Sequence, residues 1–262
     1  MKKFLIVFLL ALVAFGSSAE TITIAGSTSV APLVEEIATE YEAKYQNKKI
    51  VVNATGSSAG VKAVLDGTAQ IGMVSRELTS EEKAKDITAI TIANDGIAVV
   101  VHPSNQVKNL TLEQVAQIFT GKITNWQEVG GKDSKIIVVI RDAASGTRGA
   151  FEELVHKGKR AVETALVSPT TGTVRTTIAT TKTAIGYISL GALDKSVKAV
   201  TISGVEANEQ NVLAGTYKIS RPLALITKGK TKSSLQQFID FCLGDIGQEI
   251  AAMEFIPVKQ GD

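Results

Sequence analysis

Clusters of glycine, serine and threonine stand at three points where an apolar, strand-like segment gives way to helix-like spacing. They are Gly26-Ser27-Thr28-Ser29, Gly56-Ser57-Ser58-Ala59-Gly60 and Ser145-Gly146-Thr147. At the start of a helix, free backbone N–H groups point outward and the helix dipole adds partial positive charge. Serine and threonine hydroxyls are further donors without net charge. One such cluster is typical of an ordinary helix N-cap, but three together predict a site for a small anion.

Two arginines flank the third cluster. Arg141 lies four residues before Ser145, and Arg148 directly follows Thr147. A guanidinium offers a planar fork of donors that matches an oxyanion, so we expect Arg141 to supply the main positive charge. The alternative for Arg141 is an ion pair with Asp142, and the two roles are compatible.

The second cluster also matches G-x-S-x-G, the nucleophile elbow of α/β-hydrolases, with Ser58 as the nucleophile. Neither of the two histidines, His102 and His156, has the late position that the catalytic histidine of that fold occupies. Two histidines and one cysteine also argue against a transition-metal site. The usual nucleotide-binding loops are absent from the sequence. We therefore predict a binding protein without cofactor or metal, with a serine hydrolase as the alternative.

The segments that must position these clusters alternate between strand-like and helix-like patterns. Strand-like segments are found at 21–25, 50–52, 71–74 and 136–140, and the apolar segments 90–92 and 97–101 are typical of buried parallel strands. This alternation predicts an α/β fold with a mostly parallel sheet and helices on both faces. The clusters then lie at the carboxyl ends of strands, where such folds bind ligands.

The composition is that of a folded globular protein, because 44% of the 262 residues are hydrophobic and 21% are charged. The net charge of +2 depends on Lys2 and Lys3, without which basic and acidic residues balance. A binder of the phosphate backbone carries a basic excess, so nucleic acid is excluded as the expected partner. The single cysteine, Cys242, shares helical spacing with Leu235 and Phe238 and is expected to be a buried thiol.

The first residues have the pattern of a cleavable signal peptide. A basic start precedes an apolar run over 4–15, and small residues at Ser17 and Ala19 fit a signal-peptidase site. We expect residues 1–19 to be removed by cleavage after Ala19. A membrane anchor is the alternative, but the run is short for a hydrocarbon core of ~30 Å. No cysteine stands at the cleavage site for lipid attachment, so the expected location is the periplasm.

Six segments that span nearly the whole chain after residue 19 carry a resemblance to a known family. They are GSTSVAP at 26–32, GSSAG at 56–60, IGMVSR at 71–76, IFTGKITNW at 118–126, RDAASGTR at 141–148 and AIGYI at 184–188. With these segments the sequence is similar to the periplasmic phosphate-binding proteins that serve phosphate ABC importers.

The resemblance implies the type II periplasmic binding protein fold, with two α/β lobes and phosphate held in the cleft between them. Lobe I would comprise residues 20–98 and 224–262, and lobe II residues 99–223. The chain would cross between the lobes near 95–103 and 221–227. The implied partners are inorganic phosphate and the permease subunits of a phosphate ABC transporter, and the implied state is a monomer.

The family's phosphate contacts carry over to the matching motifs of this sequence. The implied phosphate-binding residues are Thr28, Ser29, Ser57, Arg141, Ser145, Gly146 and Thr147. We expect the third cluster to face the first two from the opposite lobe.

The sequence departs from the family pattern after the strand at 71–74. Where well-known members have an aspartate that accepts the proton of hydrogen phosphate, this chain has Ser75, followed by Arg76. Asp95 and Asp142 could replace that acceptor, and Asp95 is favoured because Asp142 can be occupied by Arg141. Arg76 is expected either to add a donor to the site or to pair with Asp95.

The missing aspartate leaves other functions open. A buried carboxylate rejects sulfate by charge repulsion and by an unmet acceptor, so its loss keeps sulfate and molybdate as alternative ligands. A cell-surface signalling or adhesion protein on the same fold is an alternative from a different class.

Overall fold

The computed structural model describes residues 19–258, in which strands and helices alternate along most of the chain. Residues 1–18 of the expected signal peptide lie outside the described residues. The strands are β1 (Glu20–Gly26), β2 (Lys48–Ala54), β3 (Ile71–Val74), β4 (Ile87–Val101), β5 (Asn109–Leu110), β6 (Ile137–Arg141), β7 (Leu166–Ser168), β8 (Ala184–Ser189), β9 (Lys198–Ala199), β10 (Thr201–Ile202), β11 (Ser220–Lys228) and β12 (Ile256–Pro257).

The helices connect these strands and pack on the sheet. They are α1 (Ala31–Lys44), α2 (Ser57–Asp66), α3 (Ser80–Lys83), α4 (Leu112–Phe119), α5 (Gly146–Leu154), α6 (Thr171–Thr180), α7 (Glu209–Leu213), α8 (Ser233–Leu243) and α9 (Asp245–Glu254), with short 3-10 helices at Trp126–Val129 and Leu190–Ala192. Within the described range, no helix has the length and apolar character needed to cross a membrane.

The main sheet has the strand order β2-β1-β3-β11-β4-β8-β6-β7, and β12 and β9 also pair with β4. At one end β1 runs parallel to β2 and β3, and at the other β6 runs parallel to β8 and β7. The middle strands β4 and β11 are antiparallel to their neighbours. The predicted α/β class is therefore correct, and each parallel end has its strand–turn–helix units.

The apolar segments 90–92 and 97–101 are the one strand prediction that is wrong in type. They belong to the single 15-residue strand β4, which pairs antiparallel with β11 and β8. The apolar composition of 97–101 reflects burial on both faces, which helices can impose on an antiparallel strand as well as on a parallel one.

Buried side chains form four clusters among the described residues; the largest at each end of the sheet are called the first and the second core, and one of the smaller clusters packs α2 against β3 and β11. The first core includes Ile24, Tyr41 and Phe238 and draws on β1–β3, α1, α8 and α9. The second includes Phe119 and Phe151 and draws on β6, β8, α4 and α5, and a smaller cluster packs α6 on the same strands. Burying an aromatic side chain of this size contributes about 1.5–3 kcal/mol to stability, so each end is stabilised by its own interior.

The middle strand β4 takes part in both cores, and the chain passes from the second core to the first as it enters β11. Along β4, Ala93 packs in the first core and Ile97 in the second. Ile219, the residue before β11, packs in the second core, and Leu223 of β11 packs in the first. The division into lobes at 98/99 and 223/224 stays a prediction.

Candidate functional site

The ends of β1, β2 and β3 bring the first two clusters and Ser75 together. Because β1 is the parallel neighbour of both β2 and β3, the residues that follow the three strands meet at the same edge of the sheet. Ser27 donates its hydroxyl to the Oγ of Ser75 at 2.9 Å. The backbone N–H of Ser75 donates to the Oγ of Ser57 at 3.2 Å, and the Oγ atoms of Ser57 and Ser75 lie 3.4 Å apart.

The third cluster faces the first from the other end of the sheet, as expected. The Oγ of Ser29 lies 3.0 Å from the Oγ1 of Thr147 and 3.0 Å from the Oγ1 of Thr171, which begins α6. All three side chains are buried. We call Ser27, Ser29, Ser57, Ser75, Thr147 and Thr171 the hydroxyl cluster.

Gly146 allows the turns to approach this closely. A Cβ atom on this residue would lie 2.1 Å from the Oγ of Ser57 and 2.8 Å from the Oγ of Ser75. Any side chain at position 146 would therefore push the start of α5 away from the other two turns.

The helix starts differ in whether a side chain caps them. No side chain caps α1 or α2, whereas the Oγ of Ser145 accepts the backbone N–H of Arg148 and caps α5. Ser145 thus has the ordinary N-cap role. The Oγ1 of Thr28, at the start of α1, is buried without a hydrogen-bond partner among the described residues, so it is a group open to a ligand.

Arg141 ends β6 with its guanidinium buried beside the hydroxyl cluster. Its Nε donates to the carbonyl of Ser168 at 3.2 Å, its Nη2 to the carbonyl of Pro169 at 2.9 Å and its Nη1 to the Oγ1 of Thr171 at 3.2 Å. Burial lowers the pKa of Arg141, but a guanidinium stays protonated in proteins. The carboxylate of Asp142 lies 3.9 Å away and is one-third exposed, so much of the charge of Arg141 remains available.

Asp95 does not lie against the turns as a free acceptor, contrary to expectation. Its Oδ2 accepts from Ser189 at 2.8 Å and from Arg221 at 2.8 and 3.0 Å, and its Oδ1 accepts from the backbone of Leu190 at 3.1 Å. Burial raises the pKa of Asp95, and the neighbouring Arg221 opposes that rise. Arg221 therefore separates this carboxylate from the hydroxyl cluster.

Arg76 does not pair with Asp95 either. Its guanidinium binds both carboxylate oxygens of Glu82, at 2.7 and 2.8 Å, and its Nη2 donates to the Oγ of Ser58 at 3.2 Å. The reason is local. Glu82 lies only six residues after Arg76, in the first turn of α3, whereas the carboxylate of Asp95 already binds the guanidinium of Arg221. Arg76 lies at the rim of a cavity of about 600 Å³ that Ser145 and Arg148 also line.

The hydrolase alternative lacks the contacts that it requires. The Oγ of Ser58 accepts from Arg76. The Nδ1 of His102 contacts the hydroxyl of Ser104, and the Nδ1 of His156 contacts the carbonyl of Lys159. Among the described residues, no group of three His, Cys, Asp or Glu side chains could hold a metal ion.

Comparisons with known proteins agree with this geometry. A family model described as a PBP superfamily domain matches residues 14–245. Phosphate-binding protein PstS of Bacillus subtilis is 36% identical, over 91% of this chain and 81% of its own length, and PstS of Borreliella burgdorferi is 30% identical, over 91% and 90%. The chain belongs to the PBP superfamily and, within it, to the PstS phosphate-binding proteins.

Solved structures support the same assignment. A phosphate ABC transporter substrate-binding protein from Clostridium perfringens, solved with bound phosphate, superposes with a TM-score of 0.89 at 44% identity, covering 92% of this chain and all of that one. A phosphate transport receptor from Vibrio cholerae superposes with a TM-score of 0.78 at 36% identity, over 91% and all of its chain. The predicted periplasmic binding protein fold and the resemblance to a phosphate-binding family are both confirmed.

Two residues that lie beside the Gly/Ser/Thr clusters of this PstS relative were not identified from the sequence. Thr171 begins α6, and its preceding Thr170 forms a capping box with Thr173, a Ser/Thr pattern that could have indicated a fourth turn. Arg221 lies directly opposite Asp95 in the β4–β11 pair. No local signal reveals that register, which depends on the pairing of strands more than 100 residues apart.

Proposed function

We propose that this protein captures inorganic phosphate and delivers it to the permease subunits of a phosphate ABC transporter. The observation that carries the proposal is the meeting of Ser29 with Thr147 and Thr171 beside the guanidinium of Arg141. These groups come from opposite ends of the sheet and present hydroxyl donors and one positive charge to the same small volume. The phosphate-binding names of the relatives and the phosphate-bound neighbour support the same ligand.

In this proposal, the hydrogen bonds between neighbouring hydroxyls are replaced by hydrogen bonds to phosphate oxygens when the ion binds. The proposed contacts are Thr28, Ser29, Ser57, Ser75, Arg141, Gly146, Thr147 and Thr171. Ser145 would orient α5 as its N-cap, and Arg76 would border the entrance. Asp95 would act only through Arg221. Nothing in this binding requires a bond to break, so no catalytic step is proposed.

The two cores support a two-lobed molecule that closes on its ligand. We propose lobe I at 20–98 and 224–262, lobe II at 99–223, and a monomer whose lobe faces dock the permease. Closure would remove the ion from water and so strengthen every hydrogen bond to it. The signal-peptide pattern supports export, with cleavage after Ala19 and action in the periplasm.

Hydroxyl oxygens would take the place of the missing aspartate as proton acceptors. A hydroxyl both donates and accepts, so Ser75 can meet either a bare phosphate oxygen or a protonated one. This arrangement imposes no charge repulsion on sulfate. We therefore expect phosphate to be preferred over sulfate by less than a buried carboxylate would achieve.

Isothermal titration calorimetry on phosphate-free protein tests the proposal. The wild type should bind phosphate at one site, and sulfate and molybdate should compete only at higher concentration across pH 5 to 9. Arg141→Lys should bind phosphate about 10- to 100-fold more weakly, because the lysine loses the planar fork and hydrogen bonds to a charged group contribute about 1.5–3 kcal/mol.

Arg160→Lys is the matched control, because Arg160 is exposed and should leave phosphate affinity unchanged. A wild type that gives no saturable phosphate binding would overturn the proposal. A molybdate or sulfate affinity above that for phosphate would reassign the ligand.

A further inference from the structure

Arg221 is a second buried guanidinium next to the hydroxyl cluster. It is 4% exposed and pairs with Asp95, which is 1% exposed. The Nε and Nη2 atoms donate to the Oδ2 of Asp95 at 3.0 and 2.8 Å. The carboxylate thus orients the guanidinium plane and leaves Nη1 to point elsewhere.

The Nη1 of Arg221 reaches both ends of the sheet. It donates to the carbonyl oxygen of Ser75, which follows β3, at 3.2 Å and to the Oγ1 of Thr147, in the first turn of α5, at 2.6 Å. Arg221 itself lies on β11, one of the two middle strands. One side chain therefore connects a middle strand to a turn from each core.

The contact with Arg221 occupies one lone pair of the Thr147 hydroxyl oxygen and leaves its O–H free to donate. An arginine is always a donor, and a hydroxyl has one O–H and two lone pairs. Since the Oγ1 of Thr147 accepts from Arg221, its own O–H must donate to something else. Its other neighbour at hydrogen-bond distance is the Oγ of Ser29, at 3.0 Å.

Arg141 occupies one lone pair of the Thr171 hydroxyl oxygen in the same way. Its Nη1 donates to the Oγ1 of Thr171 at 3.2 Å, and the other close neighbour of that oxygen is again Ser29, at 3.0 Å. The two guanidiniums thus each occupy one lone pair of a threonine hydroxyl and leave both O–H groups free to donate, with Ser29 as their shared neighbour.

We propose that Arg221, held by Asp95, is a positioning residue that fixes the Thr147 hydroxyl as a hydrogen-bond donor to the bound anion. The proposal rests on the phosphate-binding function proposed above and deepens it. Arg221 acts through Thr147 rather than by touching the ligand. The site is thereby matched to an oxyanion whose oxygen facing Thr147 carries no proton.

A double-mutant cycle in phosphate affinity distinguishes this role from a purely structural one. The variants are Arg221→Lys, Thr147→Val and the two combined, each titrated with phosphate by calorimetry. Arg221→Lys and Thr147→Val should each weaken binding about tenfold or more. In the Thr147→Val background, Arg221→Lys should cost much less than it does alone, because the hydroxyl that it orients is absent.

Two further variants keep the test decisive. Thr147→Ser restores an oriented O–H and should recover most of the affinity that Thr147→Val loses. If Arg221→Lys fails to fold, Ser189→Ala removes one bond to the Oδ2 of Asp95 and should weaken phosphate binding about two- to fivefold with a smaller change in structure. Thermal unfolding of each variant without phosphate reports its effect on stability separately.

Arg175→Lys is the control, because Arg175 forms a comparable pair with Asp194 at 3.2 Å on the surface and should bind phosphate as the wild type does. If Arg221→Lys binds phosphate like the wild type, or costs the same factor with and without the Thr147 hydroxyl, the inference is wrong. A wild type that binds no phosphate would instead overturn the proposed function itself.

Discussion

The backbone N–H of Ser58 donates to the carbonyl oxygen of Ala144 at 3.0 Å and joins the start of α2 to the turn before α5. The neighbouring Gly56 has a φ of 96°, and a Cβ there would lie 2.9 Å from the same carbonyl oxygen. The two turns therefore meet backbone to backbone, without side chains between them. This contact brings Ser57 and Gly146 into the same small volume.

A methyl group at Gly146 should prevent this approach. In Gly146→Ala the new Cβ would overlap the Oγ of Ser57 and the Oγ of Ser75, both of which belong to buried residues with little room to move. Alanine is also the better helix former, so α5 itself should be undisturbed. We expect phosphate affinity to fall by about 100-fold or more, measured by calorimetry, and small-angle scattering to report a larger radius of gyration with phosphate present.

Gly172→Ala is the matched control for this prediction. Gly172 lies in the first turn of α6, and its Cβ would meet only the Oγ1 of Thr170, at 3.8 Å, which is an ordinary contact. This variant should bind phosphate within about twofold of the wild type, on the expectation that a Cβ with open space is tolerated. Unchanged affinity in Gly146→Ala would show that the turns need not approach this closely.

The parts of the site that the sequence predicted are those encoded locally. Each Gly/Ser/Thr cluster lies at a strand–helix junction, so the positions of Ser29, Ser57 and Thr147 follow from spacing and turn chemistry. That each cluster lies at the carboxyl end of a strand follows from the α/β class, whereas the meeting of the third cluster with the first two was expected only from the family resemblance. Arg141 was predicted because it belongs to the same short segment as its cluster.

The parts that were missed depend on contacts between distant segments. The Arg221–Asp95 pair arises from the antiparallel register of β4 and β11, and a shift of one residue would place Arg221 on the other face. The sequence does not show that register. Asp95 was therefore expected to accept the proton of the ligand, and Arg76 was considered as a partner of Asp95. Glu82 was overlooked because α3 is only one turn long.

The pair of Arg76 and Glu82 should make stability depend on pH in the acid range. Burial alone would raise the pKa of Glu82, but the bonds from Arg76 and Thr79 outweigh it, and the pKa lies below its ordinary value of 4.5. A lowered folded-state pKa means that the ionised carboxylate stabilises the fold above pH 4.5 and that this contribution disappears as the pH falls through the folded-state pKa.

Glu82→Gln should therefore lower the Tm at pH 7 by about 2–4 °C, the shift that ~1 kcal/mol produces in a protein of this size. The difference from the wild type should shrink as the pH is lowered from 7 to 3, because Glu82 loses its charge as the pH falls through its lowered folded-state pKa, whereas glutamine carries no charge at either pH. Glu77→Gln is the control, since Glu77 pairs with Lys83 at 3.6 Å in an exposed position and exposed pairs contribute little. An equal Tm difference at both pH values would contradict the assignment.

Cys242 should be protected from thiol reagents in the native protein. It is the only cysteine of the chain, it is fully buried in the first core, and burial raises the pKa of its thiol. Because the thiolate is the reactive form, labelling requires the core around α8 to open. We expect Ellman's reagent to react with one thiol per chain at once in concentrated guanidinium chloride and at least about 100-fold more slowly in buffer.

Saturating phosphate should slow the native reaction further, since a ligand that binds only the folded state suppresses unfolding. Rapid stoichiometric labelling of the native protein would mean that the first core opens far more readily than its packing implies.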